Sequence, residues 1–477
     1  MKRLDTDVAV IGSGPSGMAA ACSAAENGAQ VIILEKGKTM GGGVQGGNGL
    51  FAVESHHQKA KQSSLTKADA FKFLMDYTYW KVDAQLVSAY VDKTASTIDW
   101  LESLGINFID VVAYFIGAEY TWHFKDPESP AFTDAIFAKA KTLGATIQLE
   151  TSAKKLIKEG SKVVGVIAED NSGQEIEIRA KAVVIATGGF GGNKEMIKKL
   201  TGYDHGVDLF TFAFPEVQGD GLKMAWDVGA GKSDVMMNTH VCLPDPYGGP
   251  GGTGFELGSF RQPNLMVNLD GERIINEEIM RVPGFAGNAV HRQKKGYAFM
   301  IFDEAANEYY DNGWDFVMSK LPITKSNNLG ALIQKIQNEG YEHLFLADSL
   351  EELSAQTGID LEGLKKTVAE YNKACESGQD DKFFKSTKYL RPLTKPKFYA
   401  ARFSQGGYGS LGGIKINHRT EVVTEAGEAI HGLYAVGNDA NSIYNGAYPF
   451  VISGNVSSFC YNSGRIAGEN AAVYIKG

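Results

Sequence analysis

The chain has 477 residues, 43% hydrophobic and 22% charged, and a formal net charge of -9. This length exceeds one compact core and implies two domains or three, and the composition is that of a folded protein, not a disordered one. The negative charge argues against a nucleic-acid partner, and no apolar run of about 18 residues is present to insert into a membrane.

The N-terminal stretch MKRLDTDVAVIG passes from two basic residues straight into an apolar run. It has no separate apolar region ending in a cleavage site, so a cytoplasmic protein is expected. Residues 7–11 (DVAVI) read as a buried parallel strand. Gly12, Gly14 and Gly17 follow in G-x-G-x-x-G spacing around Pro15 and Ser16, and an alanine-rich stretch to about residue 27 predicts a helix. Residues 31–34 (VIIL) predict a second strand ending at Glu35 and Lys36. Gly12 allows the tight turn, Gly14 lets a pyrophosphate reach the backbone, and Gly17 lets helix and strand pack closely. The helix N-terminus offers free N–H groups to phosphates, and Glu35 can accept hydrogen bonds from a ribose diol. Strand, glycines, helix, strand and acid in this order predict a dinucleotide site. Residues 248–254 (GGPGGTG) repeat the spacing without a strand or helix around them and read as a loop.

A second glycine-rich stretch comes directly after the acid, with Gly42, Gly43, Gln45, Gly46, Gly47, Asn48 and Gly49. NAD has no need of it, whereas a flavin has a ribityl chain and ring that run on past the pyrophosphate. Residues 96–108 read as a helix and strand of the same domain. Residues 182–193 predict a strand ending at Ala186, Thr187, Gly188 and Gly189, and residues 219–230 a helix beginning near Asp220. Residues 432–439 predict another strand, ending at Gly437, Asn438 and Asp439. Strand ends so far apart in sequence can converge on one cofactor. The four cysteines, Cys22, Cys242, Cys375 and Cys460, form no C-x-x-C, so reduced thiols are expected and no zinc, iron–sulfur or c-type haem site.

The segments VIGSGPSG, ILEKG, QGGNGLFA, ATGGFGGN, VNLDGERIINE, GLYAVGN and SGRIAGENAA resemble the FAD-dependent fumarate reductase and succinate dehydrogenase flavoprotein superfamily. The C-terminal part, with GLYAVGNDAN and Tyr448–Pro449, is similar to the 3-ketosteroid dehydrogenases. The resemblance covers nearly the whole chain. It implies an α/β fold in which a Rossmann-like FAD-binding domain (1–237 and 396–477) is interrupted by an α+β capping domain (238–395). Membrane-bound relatives attach FAD through a histidine five residues before the Gln of QGG; Met40 stands there, so noncovalent FAD is expected. No haem domain and no second dinucleotide site are visible. Electrons would come from an external donor: reduced flavin, a ferredoxin-like protein or another reductase.

In fumarate reductases of this family, an arginine four residues past the Glu of G-x-R-x-x-NE protonates the substrate while the flavin gives hydride. Here the pattern reads Gly271, Arg273, Asn276, Glu277 and Arg281. Arginine is a poor acid in water, but a carbanion next to a carbonyl is a strong enough base in a closed, dry site. The plainer alternative pairs Arg281 with Glu277 or Glu278 along a helix. Glu256 and Arg261 are candidates for a relay that returns the proton. His240 lies beside the family's first carboxylate-binding histidine. The second histidine position falls at Gly409, and the carboxylate-binding arginine falls on or beside Tyr448. Losing these cations would leave a dicarboxylate buried without partners, which argues against fumarate. Tyr448, like the ketosteroid dehydrogenase tyrosine, could polarise a ketone oxygen. Tyr114, Tyr120, Trp122, His123 and Tyr408 are further pocket candidates. The chain therefore reads as an ene-reductase acting on a small unsaturated molecule with a bulky apolar part. A ketosteroid dehydrogenase-like enzyme and a non-catalytic electron-relay subunit are the alternatives.

Overall fold

The computed structural model describes residues 2–42, 48–113, 117–211, 215–244, 260, 262–310 and 329–477. Gly43, Gln45, Gly46, Gly47, Tyr114, Glu256 and Arg261 lie outside the described residues.

Strand β1 (Lys2–Ile11) leads through the Gly12 turn into helix α1 (Pro15–Glu26) and then β2 (Val31–Leu34). Further along come β3 (Glu175–Ile185), β4 (Lys232–Cys242), α2 (Pro283–His291), β5 (Phe398–Ile414), β6 (Ala429–Ala435) and α3 (Asn455–Tyr474). In the first sheet β1 lies between β2 and β3, parallel to both, and β6 runs parallel to β3. The apolar runs of β1 and β2 fit strands covered on both faces. The registers bring the strand ends level: Ile11 sits beside Leu34 and Ile185, and Ile185 beside Ala435. The residues that follow, Gly12, Glu35, Ala186 and Val436, therefore meet at one edge.

The second sheet is centred on β5. It pairs antiparallel with β4 and with strands Tyr297–Asp303 and Leu344–Ala347. Residue 238 falls inside β4, so the main chain enters this sheet before the boundary read from sequence. The helix and strand expected at 96–108 are present as Ala84–Ser103 and Phe108–Val112, but the strand belongs to a separate three-stranded sheet with Gly49–Phe51 and Trp122–Lys125. Among the described residues, no helix is long and apolar enough to cross a membrane.

The small residues of α1 have a packing reason. Every residue from Pro15 to Ala25 is buried, and α3 lies on the same helix. Gly464 and Gly468 of α3 permit that approach: a methyl group would come 2.3 Å from the Ser16 carbonyl oxygen at Gly464 and 2.4 Å from that of Ala20 at Gly468. Neither backbone atom can move aside cheaply. Gly468→Val is expected to cost about 1–3 kcal/mol through overpacking, read as a lower urea midpoint with unchanged m-value.

Candidate active site

A cleft opens at the level strand ends. It is lined by Gly12, Ser13, Gly14, Pro15, Ser16, Glu35, Lys36, Gly42, Ala186, Thr187, Gly188, Asp220 and Asn438. Gly12 has φ +107, and a methyl group on it would meet the Ala186 carbonyl oxygen at 2.2 Å. Gly17 lies behind it, 1.9 Å in the same sense from the Gly12 carbonyl oxygen. Gly14 differs: no protein atom lies within 4 Å of where its methyl would be, so the backbone at the start of α1 is open to a ligand. Glu35 is fixed by Ser13, whose N–H and hydroxyl donate at 3.0 and 2.5 Å, and by the Gly37 N–H at 2.7 Å. Lys36 and Asp220 pair at 2.8 Å on the rim. Ser13 occupies a variable position of the glycine motif, which carries no signal for it in sequence.

Asp439 lies beneath the cleft rather than along its wall. Its carboxylate is fully buried and joins the ends of β6 and β3. It accepts from the Thr187 N–H, the Thr187 hydroxyl (2.8 Å), the Gly188 N–H (3.0 Å) and the Gly189 N–H (2.9 Å). Gly188 and Gly189 have φ of +88 and +87, which turns their N–H groups inward to form an anion nest. Burial pushes this carboxyl above the ordinary range and the donors pull it back. The geometry suits the ionised form. The Thr187 hydroxyl oxygen already accepts from the Gly221 N–H at 3.1 Å, so its proton points at Asp439, and all four contacts to the carboxylate are donors. Gly437 approaches α1, and its N–H donates to the Ser463 hydroxyl at 3.0 Å.

Asn48 and Gly49 head the three-stranded sheet, where the Trp122 indole packs where a side chain on Gly49 would sit. His123 is buried there, its rings engaged by the Ser55 hydroxyl (2.5 Å) and the Thr121 carbonyl (3.0 Å), and burial holds its pKa down to about 4. Of the aromatic pocket candidates that the structure describes, Tyr408 lines the cleft while Tyr120, Trp122 and His123 do not. His56, His57 and Glu102 bring three groups of metal-ligand type together, an association not visible in sequence. Each imidazole is paired with a carboxylate, His56 with Asp99 at 3.1 Å and His57 with Glu102 at 2.6 Å, and none of them lines the cleft.

An aromatic cluster adjoins the cleft through Tyr408, which lines it. The His240 ring stacks on Tyr408 with centroids 4.3 Å apart. Helix α2 lies against this strand: a methyl on Gly287 would come 2.8 Å from the His240 carbonyl carbon, and one on Gly284 3.3 Å from the Phe450 ring. Tyr448 packs edge-on against Tyr444 and Phe450 at 5.5 and 4.7 Å. Its hydroxyl accepts the Asn455 N–H at 3.0 Å, at the N-terminal end of α3. Burial raises the phenol above its ordinary range, so the hydroxyl keeps its proton. Tyr77, which the sequence reading missed, stacks on Phe285 of α2 at 5.8 Å and donates to the Tyr448 carbonyl at 3.2 Å.

Arg281 ends a five-residue 3-10 turn, Glu277–Arg281, one residue before α2. The helical pairing with Glu277 or Glu278 does not form. Glu277 is buried on Arg273 and Lys385, and Glu278 accepts the Ser386 N–H at 2.6 Å. The Arg281 side chain is exposed and makes no hydrogen bond or ion pair among the described residues.

These residues fit a bound flavin dinucleotide. The open backbone at Gly14 suits a pyrophosphate, and the Glu35 carboxylate suits a ribose. The Asn441 amide and the Tyr444 hydroxyl are buried close to each other.

Residues 7–451 match the model of the FAD binding domain family. A vinyl phenol reductase of Lactiplantibacillus plantarum is 32% identical, the alignment covering 98% of this chain and 96% of that protein. The open conformation of a flavocytochrome c3 fumarate reductase superposes with a TM-score of 0.75 at 26% identity, over 99% of this chain and 79% of the other. A 3-ketosteroid delta1-dehydrogenase from Sterolibacterium denitrificans shares the fold, with a TM-score of 0.79 at 21% identity over 98% and 99% of the two chains.

Asp439→Asn would turn an NH2 group toward N–H donors. Leaving such buried groups unpaired costs about 1–3 kcal/mol. The variant is expected to have a lower Tm and to purify with less FAD, measured as the 450 nm to 280 nm absorbance ratio.

Proposed function

The chain belongs to this FAD-binding family, within the fumarate reductase-like flavoproteins, and from that premise we propose that it reduces a carbon–carbon double bond conjugated to a carbonyl, a carboxylate or an aromatic ring. The observation that carries the reading is an aromatic cluster: Tyr408 lines the cleft with His240 stacked on it, and Tyr444, Tyr448 and Phe450 pack together. By the family resemblance, Gly409 and a position on or beside Tyr448 stand where a fumarate reductase would hold carboxylates with cations. An aromatic substrate gains from offset and edge-on ring contacts, while a dicarboxylate would lack charged partners. The likeness to a vinyl phenol reductase along the whole chain points the same way.

FAD, held noncovalently because Met40 stands where a linking histidine would be, supplies the hydride when bound. Residues 238–395, which add strands Leu265–Val267, Tyr297–Asp303 and Leu344–Ala347 to the second sheet, act as the capping domain. Arg281 delivers a proton to the carbon next to the activating group, and its positive charge stabilises the carbanion before transfer. Tyr448 donates a hydrogen bond to the substrate's oxygen. Its own oxygen accepts the Asn455 N–H at the positive end of α3, which makes the phenol a stronger donor. Tyr77 and Phe285, stacked across the two parts of the chain, help exclude water. The electron donor is external.

The test uses single turnovers of protein reduced with dithionite. Arg281→Gln should slow reoxidation by an alkene acceptor such as p-vinylphenol by about 100- to 10,000-fold. Reoxidation by ferricyanide, which needs no proton donor, should be unchanged. Full alkene turnover in this variant would overturn the donor assignment. Tyr448→Phe should lower the rate with oxygen-bearing substrates by about 10- to 1,000-fold and keep FAD content near wild type, checked by the same rapid-mixing assay. An unchanged rate would remove Tyr448 from the mechanism.

A further inference from the structure

Arg281 has no partner of its own among the described residues, so its position is set by the other end of its turn. We infer that Arg273 and the segment 380–386 (DDKFFKS) are a positioning device for Arg281, a role the sequence reading gave to neither. The inference rests on the reading of Arg281 as proton donor.

Three consecutive residues tie the turn to this segment. The Asn276 amide donates to the Phe383 carbonyl at 3.0 Å, and its oxygen accepts the Glu278 N–H at 2.9 Å. Glu277, fully buried, accepts two bonds from Arg273 at 2.9 and 2.8 Å and the Met266 N–H at 3.1 Å, and it pairs with Lys385 at 3.1 Å. Glu278 accepts the Ser386 N–H at 2.6 Å. On the far side Asp380 pairs with Arg273 at 2.8 Å and accepts the N–H groups of Lys382, Phe383 and Lys385 at 3.2, 3.2 and 3.1 Å. Lys385 donates to the Pro263 carbonyl at 2.5 Å and the Tyr371 hydroxyl at 2.8 Å. The Arg273 guanidinium lies against the Tyr371 and Phe383 rings at 5.2 and 5.0 Å.

Two cations and two anions are thus buried together with zero net charge. Stability alone does not call for this, because well-packed apolar side chains of similar volume serve as well or better. What a bidentate, fully bonded ionic cluster adds is direction. It fixes the axis of a short 3-10 turn whose last residue projects outward as Arg281. The segment bends sharply to do so. Phe384 takes a left-handed φ of +58 and is 82% exposed, while Phe383, Lys385 and Ser386 on either side reach inward. A displacement of about 1 Å in a reacting group costs on the order of 100-fold in rate.

The experiment removes one charge at a time. Lys385→Met leaves the cluster with one excess anion and Asp380→Asn leaves it with one excess cation; the double variant is neutral again. In the FAD-loaded full chain, each single variant should lose about 10- to 100-fold in kcat with the wild type's best alkene acceptor. KM should move less than about 3-fold, and ferricyanide reoxidation should not move. The double variant should recover at least half of the loss on a logarithmic scale. Leu364→Ala, a core change in a neighbouring helix, is the control for stability alone and should lower Tm without lowering kcat at a temperature well below it. If a cluster variant does not fold, Glu278→Gln, which loses only the charge on the Ser386 bond, should still lose about 3- to 10-fold in kcat. The inference falls if folded cluster variants, or Glu278→Gln, keep wild-type kcat while Arg281→Gln loses it. If Arg281→Gln itself keeps full turnover, the reading of Arg281 fails instead, and the two results are distinct.

Discussion

The site depends on four parallel strand ends being level with one another. β1, β2, β3 and β6 stop in register at Ile11, Leu34, Ile185 and Ala435. Nothing in the ladder hydrogen bonds alone keeps the turns beyond these ends open and close together. The Asp439 carboxylate supplies that constraint, because it takes up the inward-pointing N–H groups of the Thr187–Gly189 turn from the end of a strand some 250 residues later. A buried anion held by donors alone, with no cation, tolerates little rearrangement. The small residues of α1 and the glycines of α3 complete the arrangement by letting two helices approach the same edge.

On this frame the chemistry divides between two bodies of the chain. The strand ends and α1 provide a place for FAD. The turn Glu277–Arg281 provides the proposed proton donor, whose guanidinium has no partner among the described residues. The other cations near it, Arg273 and Lys385, are consumed by Glu277 and Asp380. On the proposed reading, selectivity would come from the aromatic cluster, since rings recognise rings by shape and quadrupole and repel unsatisfied charge.

Much of this was legible in sequence where local chemistry and long-range geometry coincide. Gly12, Gly14 and Gly17 each have a separate steric duty that spacing alone encodes, and the structure assigns each a different surrounding. The strand β3 and the Thr187–Gly189 turn were equally readable, because an apolar run that ends in glycines has few other solutions. What was not legible depends on which face a residue turns. Asp439 reads as a cofactor ligand but is spent beneath the turn. Trp122 and His123 read as pocket aromatics but form a small separate sheet. The pairing of Arg281 with Glu277 assumes an α-helix; the backbone makes a 3-10 turn and buries Glu277 on the other side. Tyr77, Asp380 and Lys385 had no motif, since their partners lie between 100 and 400 residues away or in another helix.

The central claim is that this flavoprotein reduces an alkene attached to an aromatic or singly activated group and has given up the charges that hold fumarate. It is tested most directly by mixing the reduced protein, without oxygen, with equal concentrations of p-vinylphenol, a cinnamate-type enoate and fumarate, and following flavin reoxidation. Rapid reoxidation by at least one ring-conjugated alkene is expected, with reoxidation by fumarate slower by about 100-fold or more, the scale set by two carboxylates buried without cations. Fumarate reoxidising the flavin as fast as any aromatic alkene would contradict it.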